Sequence, residues 1–294
     1  MITILGGTGN VGGKTAEIIL KNGSDLRLIA RRKDALAHFA QEGAEIMAGD
    51  AKDSEFLTSA FQNSDVVMTM IPGDWQSNNF AKHQDEISNS IITSIKKTGV
   101  KKIVFISSVG GHTEERTGVV AGLARHERLL NQLGDVDVFI LRPTYFMENF
   151  FGNIPLIKSM NINGGVLAPD IAFPIIATID IANVASQYLL NPNFKGITVR
   201  ALLGPKNYTM REASAILGSA IGKPDLQYIQ FKPQEVISSM AGMGISEDVA
   251  SSMVTLMTSM NEGLFNEEER NEWTTTPTTL EEFSSTFAYV YNRQ

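Results

Sequence analysis

Through the first 140 residues, short unbroken apolar runs alternate with stretches in which apolar residues recur every three or four positions. The runs at Met1–Leu5, Leu26–Ala30, Ala44–Met47, Asp65–Ile71, Lys102–Ile106 and Val136–Leu141 read as strands. Helices are predicted between them, at Gly12–Lys21, Asp34–Gln41, Ser54–Gln62, a longer segment ending at Gly99, and Val119–Leu133. In the first, Ala16, Ile19 and Leu20 share a face and Gly23 supplies the stop. In the long one, Ile87, Ile91, Ile92 and Ile95 share a face. Alternation of this kind predicts an α/β fold with a doubly wound parallel sheet and right-handed crossovers. Strands that are apolar throughout, rather than alternately polar, fit a sheet covered on both faces.

The rhythm changes after residue 150. Asn161–Pro174 reads as loop, Asp180–Leu190 as helix, and Gly196–Ala201 as a strand that could complete the first sheet. Thr209 and Glu212 have the spacing of a capping box ahead of a helix, as do Thr279 and Glu282 near the end. Between them lies a Met-rich helical stretch with Met253, Met257 and Met260 at helical spacing, a stripe that suits a core and also an adaptable pocket. The expected organisation is a Rossmann-type unit over 1–150, completed by 178–202, and a smaller substrate lobe within 151–294 above the C-terminal edge of the sheet. That edge is where doubly wound sheets bind ligands.

The first strand runs into Gly6-Gly7-Thr8-Gly9-Asn10-Val11-Gly12. Dinucleotide folds use glycine there for the tight turn, for close approach of backbone to a pyrophosphate, and for helix–strand contact. The following helix offers free N–H groups and a partial positive charge to the phosphates. Gly13-Lys14-Thr15 resembles the end of a P-loop, but Thr8 stands where its first glycine belongs. Lys14 is then expected to be a solvated residue on the first helix. At the end of the second strand, where an NAD site carries an acid for the ribose 2′-hydroxyl, the chain has Arg31-Arg32-Lys33. Guanidinium groups match a 2′-phosphate, so NADP(H) is expected in preference to NAD.

Charge and composition narrow the classes. Lys and Arg number 25 against 32 Asp and Glu, a formal charge of −7, which is unfavourable for nucleic acid. The absence of cysteine removes disulfides, zinc–thiolate sites and thiol nucleophiles. No apolar run has the roughly 18 residues of a membrane span. The first strand begins at Met1, so no leader is expected and the compartment expected is the cytoplasm.

On these residues the chain resembles the NmrA-like group of atypical short-chain dehydrogenases. The likeness extends over nearly the whole chain. It is carried by the 6–12 loop, Gly49-Asp50, Phe105-Ile106-Ser107-Ser108, Leu141-Arg142-Pro143-Thr144-Tyr145-Phe146-Met147-Glu148-Asn149, Asp180-Ile181-Ala182, Gly204-Pro205 and Pro277–Phe283. The resemblance implies NAD(P) held by Thr8, Asn10 and Val11 at the phosphates and Arg31 at the ribose phosphate. It also implies adenine near Asp50 and nicotinamide near Ile71, Ser107 and Tyr145. Members of that group include quinone, azo-dye and triphenylmethane-dye reductases as well as NADP-sensing regulators, and similar chains carry the label of nucleotide-sugar epimerase. A small-molecule substrate is thus expected, or a protein partner if the chain is a sensor.

Ordinary short-chain dehydrogenases place Tyr-x-x-x-Lys on the helix after the fifth strand, where the lysine lowers the tyrosine pKa. Here that helix, Val119–Glu127, has neither residue. Tyr228 and Lys232 have the spacing, but a strand is predicted there and would hold them about 13 Å apart. Epimerase or alcohol chemistry is therefore disfavoured. Reduction of a planar electrophile such as a quinone needs no dedicated acid and is the leading expectation. His112 and His126 are expected to be surface residues. No ligand spacing suggests a metal site at His38 or His83, and Ser107-Ser108 lack the partners for acyl chemistry. Tyr145, Phe146 and Asn149 are candidates for a substrate floor.

Overall fold

The computed structural model describes residues 1–294. In chain order the elements of the first half are β1 (Ile2–Leu5), α1 (Asn10–Lys21), β2 (Leu26–Ala30), α2 (Ala37–Gln41), β3 (Glu45–Ala48), α3 (Ser54–Phe61), β4 (Val66–Thr69), α4 (Phe80–Thr98), β5 (Lys102–Ile106), α5 (Ala121–Asn131) and β6 (Asp137–Pro143). They are followed by β7 (Tyr145–Phe146), α6 (Ile154–Met160), β8 (Ile162–Gly165), β9 (Phe173–Ile176), α7 (Thr178–Leu190), β10 (Ile197–Leu202), β11 (Asn207–Tyr208) and α8 (Met210–Ala220). The chain ends with β12 (Gln227–Gln230), α9 (Pro233–Gly242), α10 (Glu247–Asn261) and α11 (Leu280–Tyr291).

Seven strands form one sheet in the order β10-β6-β5-β4-β1-β2-β3. Every neighbouring pair is parallel. Its apolar residues point both ways, as the unbroken runs require. One core joins Ile4, Leu28 and Met68 to α1 and α7, and the other joins Leu5, Val67 and Phe105 to α3 and α4. The strand order reverses beside β1, which leaves the glycine loop at the switch point between the halves of the sheet.

A third core lies off the sheet, around Phe150, Phe173, Tyr208, Leu217, Tyr228 and Phe287. Two small sheets tie it together, β11-β9-β7 and the parallel pair β12-β8. The capping boxes at Thr209 and Thr279 form as their spacing predicts and fix the starts of α8 and α11.

The segment 161–174 is not simply loop, since it holds β8 and the start of β9. Its glycines read as punctuation but serve close packing. A Cβ on Gly164 would lie 2.4 Å from the Phe231 ring, and one on Gly165 would lie 3.2 Å from the Tyr228 hydroxyl. No helix is long and apolar enough to cross a membrane.

Candidate active site

The strand order sets the expected site residues in a row. Tyr145 follows β6, Ser107 follows β5, Ile71 follows β4, the 6–12 loop follows β1, Arg31 follows β2 and Asp50 follows β3. Six adjacent parallel strands present these ends along one edge, spanning about 24 Å at the usual strand spacing.

At the centre of the row the glycine loop opens into a cleft of about 870 Å³ lined by Gly7, Thr8, Gly9, Asn10, Arg31 and Arg32, with Lys14, Glu17 and His38 also on its wall. Gly6 turns at φ 90°, in the left-handed region, and packs under Met70. Gly12 and Val11 face inward and do not line the cleft. A Cβ on Gly12 would lie 2.2 Å from the Gly6 carbonyl oxygen, so only glycine lets α1 approach the turn. Gly9 differs: a Cβ there would meet only that same oxygen, at 3.4 Å, with open cleft beyond.

The first N–H groups of α1 have no intrahelical acceptor and no capping side chain, because Gly9 is the N-cap. They are free for an anion. Arg31 is exposed beside them and pairs with no carboxylate. Arg32 reaches Asp34 only at 4.0 Å, with both side chains about three-quarters exposed (75% and 76%).

Asp50, Ile71 and Ser107 lie outside this cleft. Asp50 is exposed, and its Oδ1 accepts from the Lys52 N–H at 3.0 Å. Ile71 is buried against the α3–α4 core. Ser107 is buried and its hydroxyl donates to Glu127 Oε1 at 2.5 Å. Glu127, on α5, is buried too, and Arg142 of β6 holds it through Nη2 at 2.5 Å and Nε at 3.1 Å. The loop after β5 closes tightly over this group, because a Cβ on Gly111 would lie 2.5 Å from the Glu127 carboxylate. No residue spacing announced the Ser107–Glu127–Arg142 cluster. Its only trace is a glutamate on the inward face of an amphipathic helix.

Two expectations are corrected. Lys14 is not a freely solvated residue. Its Nζ donates to Glu148 Oε1 at 2.8 Å and to Thr178 Oγ1 at 2.5 Å. Glu148 is buried and also accepts from the Thr178 N–H and hydroxyl. It thus caps α7, whose own N-cap residue, Ala177, has no capping side chain. His126 is not at the surface. It is fully buried edge-on to Phe105, with Nδ1 2.7 Å from Ser88 Oγ and Nε2 without a partner. Burial pushes its pKa down to about 3, so the ring is neutral at physiological pH. His112 does lie at the surface, with Nε2 3.5 Å from a Glu267 carboxylate oxygen.

Beside the row, a second cavity of about 840 Å³ opens in the core that lies off the sheet. Tyr145 and Tyr228 line it with Phe231, Met240, Met243 and Met257. The Met stripe of α10 is therefore divided, with Met257 on the cavity and Met260 in the core. Phe146 packs instead on the core of α1 and α7, and Asn149 is exposed. Neither lines this cavity. Tyr228 is indeed on a strand, and Lys232 is exposed at the start of α9, so the two form no dehydrogenase pair. Tyr228 nevertheless lines the second cavity, which its spacing to Lys232 concealed. No three His, Cys, Asp or Glu side chains are grouped to hold a metal ion.

A seven-stranded parallel sheet with a glycine turn after its first strand defines a Rossmann-type α/β protein. Within that class, the chain belongs to the NmrA-like family, whose model matches residues 1–284. The NAD(P)H azoreductase of Xenophilus azovorans is 24% identical over 258 residues, covering 86% of this chain and 85% of that protein. Among solved structures, an NADPH-dependent quinone oxidoreductase from Escherichia coli, complexed with NADPH, superposes with a TM-score of 0.82 at 21% identity, covering 97% of this chain and 99% of that one. The triphenylmethane reductase of Citrobacter sp., complexed with NADP(H), gives 0.81 at 18% identity, covering 98% and 100%.

Proposed function

We propose that this protein is an NAD(P)H-dependent reductase, with NADPH preferred, that acts on planar electrophilic acceptors of the quinone type. The observation that carries the reading is the pairing of an anion-ready glycine cleft with an apolar, tyrosine-walled cavity along one edge of the sheet. The names of the azoreductase, quinone and triphenylmethane relatives support the same class.

The residues present fit a dinucleotide. Gly9 leaves its side of the loop open for close backbone approach, and the N-terminus of α1 has unbonded N–H groups for a pyrophosphate. Thr8, Asn10 and Val11 would surround the phosphates. Arg31, assisted by Arg32, would take a ribose 2′-phosphate, since it has no internal carboxylate to satisfy it. Asp50 would border the adenine end, and Ile71, Ser107 and Tyr145 the nicotinamide end. When bound, the reduced nicotinamide supplies the hydride.

The chain itself supplies position and exclusion. Glu127 engages the Ser107 hydroxyl and Arg142 neutralises Glu127, which anchors the loop after β5. Tyr145 and the Met-lined walls present an apolar slot to a flat acceptor. No tyrosine–lysine pair stands on α5, so alcohol oxidation and epimerisation lack their acid–base group.

The test is stopped-flow absorbance of NADPH with quinones and azo dyes. Oxidation of NADPH above the protein-free rate is expected. Tight NADPH binding with no acceptor reduced would replace this reading with that of an NADP(H)-responsive regulator, to be pursued by capture of protein partners in NADP⁺ and in NADPH.

A further inference from the structure

The cavity beside the row contains two tyrosines whose rings pack in the lobe core but whose hydroxyls the fold leaves unpaired. Neither the Tyr145 nor the Tyr228 hydroxyl takes a hydrogen bond partner within the protein, and burial alone accounts for most of their perturbation. Both pKa values are raised, so both hydroxyls keep their protons at any physiological pH. Both line the same cavity. A phenol hydroxyl sealed in a core is usually paired, whereas these two open onto the cavity. Tyr208, in the same core, shows the ordinary solution, with its hydroxyl donating to Glu281 and accepting from the Leu280 N–H.

The remaining wall restricts what these hydroxyls can meet. Glu235 is the one charged side chain on the cavity, and no lysine or arginine lines it. A carboxylate or phosphate would find no countercharge there. A neutral oxygen acceptor on an aromatic plane needs no countercharge, with the plane against Phe231 and the methionines and the oxygen against a phenol.

From this arrangement we infer that Tyr145 and Tyr228 are specificity-determining residues, whose hydroxyls donate to an uncharged carbonyl oxygen of a planar aromatic ligand. The inference deepens the reductase reading and rests on it only for the identity of the acceptor. Tyr228 is the less expected member. It enters the site from β12, which pairs with β8, and Gly165 of β8 leaves room for its hydroxyl.

The experiment compares two probes of the same size, 1,4-naphthoquinone and naphthalene, one with carbonyl oxygens and one without. Binding is measured by equilibrium dialysis on the full chain with NADP⁺ present, so that no turnover occurs. The chain has no cysteine, so the quinone cannot add to a thiol. Y145F and Y228F should each weaken naphthoquinone binding about three- to tenfold, the worth of one neutral hydrogen bond, and leave naphthalene binding unchanged. The double variant should lose about the product of the two.

Each substitution keeps the ring, and thermal melts identify any variant that fails to fold. If Y228F fails, Y145F carries the test alone. Unchanged naphthoquinone binding in the folded variants overturns the inference, as does equal loss for both probes or a wild type that binds neither. In turnover, the variants should raise KM for naphthoquinone. A chain that reduces no acceptor would defeat the reductase reading, while the dialysis ratios still decide the role of the phenols.

Discussion

Lys14 and Glu148 stand 134 residues apart in the chain and 2.8 Å apart in the fold. Lys14 begins on the helix after the glycine loop, and Glu148 follows Tyr145 by three residues. Through Thr178, Glu148 also fixes the start of α7. The pair therefore fastens the cofactor-side helix to the segment that carries Tyr145.

Removing the carboxylate should cost more than removing the ammonium. Glu148→Ala strands the Thr178 N–H and leaves Lys14 with the Thr178 hydroxyl oxygen alone. Lys14→Met leaves Glu148 with both Thr178 donors and the positive end of α7. The Lys14 side chain is 33% exposed, which discounts its charge. The expected losses are about 2–3 kcal/mol for Glu148→Ala and about 1 kcal/mol for Lys14→Met. Urea denaturation of the two variants gives the order directly, and the reverse order would show that Glu148 does not hold α7.

Gly9→Val should abolish dinucleotide binding and leave the fold intact. Gly9 has φ −80°, which valine tolerates, and its Cβ direction is open to the cleft. Gly12→Ala should instead destabilise the protein, because its Cβ would collide with the Gly6 carbonyl. Calorimetry with NADPH, together with thermal melts, separates the two effects. Undiminished NADPH affinity in Gly9→Val would mean that the loop is not the phosphate cradle.

Arg31→Glu should weaken NADPH binding about tenfold or more and spare NADH. A charge-assisted contact to a 2′-phosphate is worth about 1.5–3 kcal/mol, and Arg31 has no internal partner whose loss would confuse the result. Titration calorimetry with both nucleotides provides the comparison. Wild-type affinities that do not differ would remove the case for NADPH.

Acid should destabilise the protein through His126. Its pKa falls from the ordinary 6.5 to about 3 on folding because burial disfavours the imidazolium. The unfolded chain therefore binds the proton first. Stability is fully present above about pH 6.5 and is lost as the pH drops toward 3. The loss is about 1.4 kcal/mol per pH unit, or about 2 kcal/mol at pH 5. Urea midpoints at pH 7 and pH 5 should fall further in the wild type than in His126→Gln, which has no titrating ring. Equal falls would place the acid sensitivity elsewhere.

Much of the architecture can be read before folding is considered, because its signals are local. Apolar runs against helical periodicity gave the alternation of strands and helices. Gly6 marked the turn through its left-handed φ and Gly12 through its approach to the Gly6 carbonyl, needs that act within a few residues. Thr209 with Glu212 and Thr279 with Glu282 close their capping boxes over three positions. Arg31 was conspicuous because a strand end leaves a side chain little choice of location. What the sequence could not show is which distant residue each polar group would meet. Lys14 looks solvated until β6 and its continuation bring Glu148 against α1. His126 reads as a surface residue, yet it is buried against Ser88, and the neighbouring Glu127 is buried against Ser107 and Arg142. The spacing of Tyr228 to Lys232 says nothing of its role, whereas its position is set by pairing of β12 with β8 and its surroundings by Tyr145. Those partners arrive through sheet order and lobe packing, and residue-by-residue preference carries no record of them.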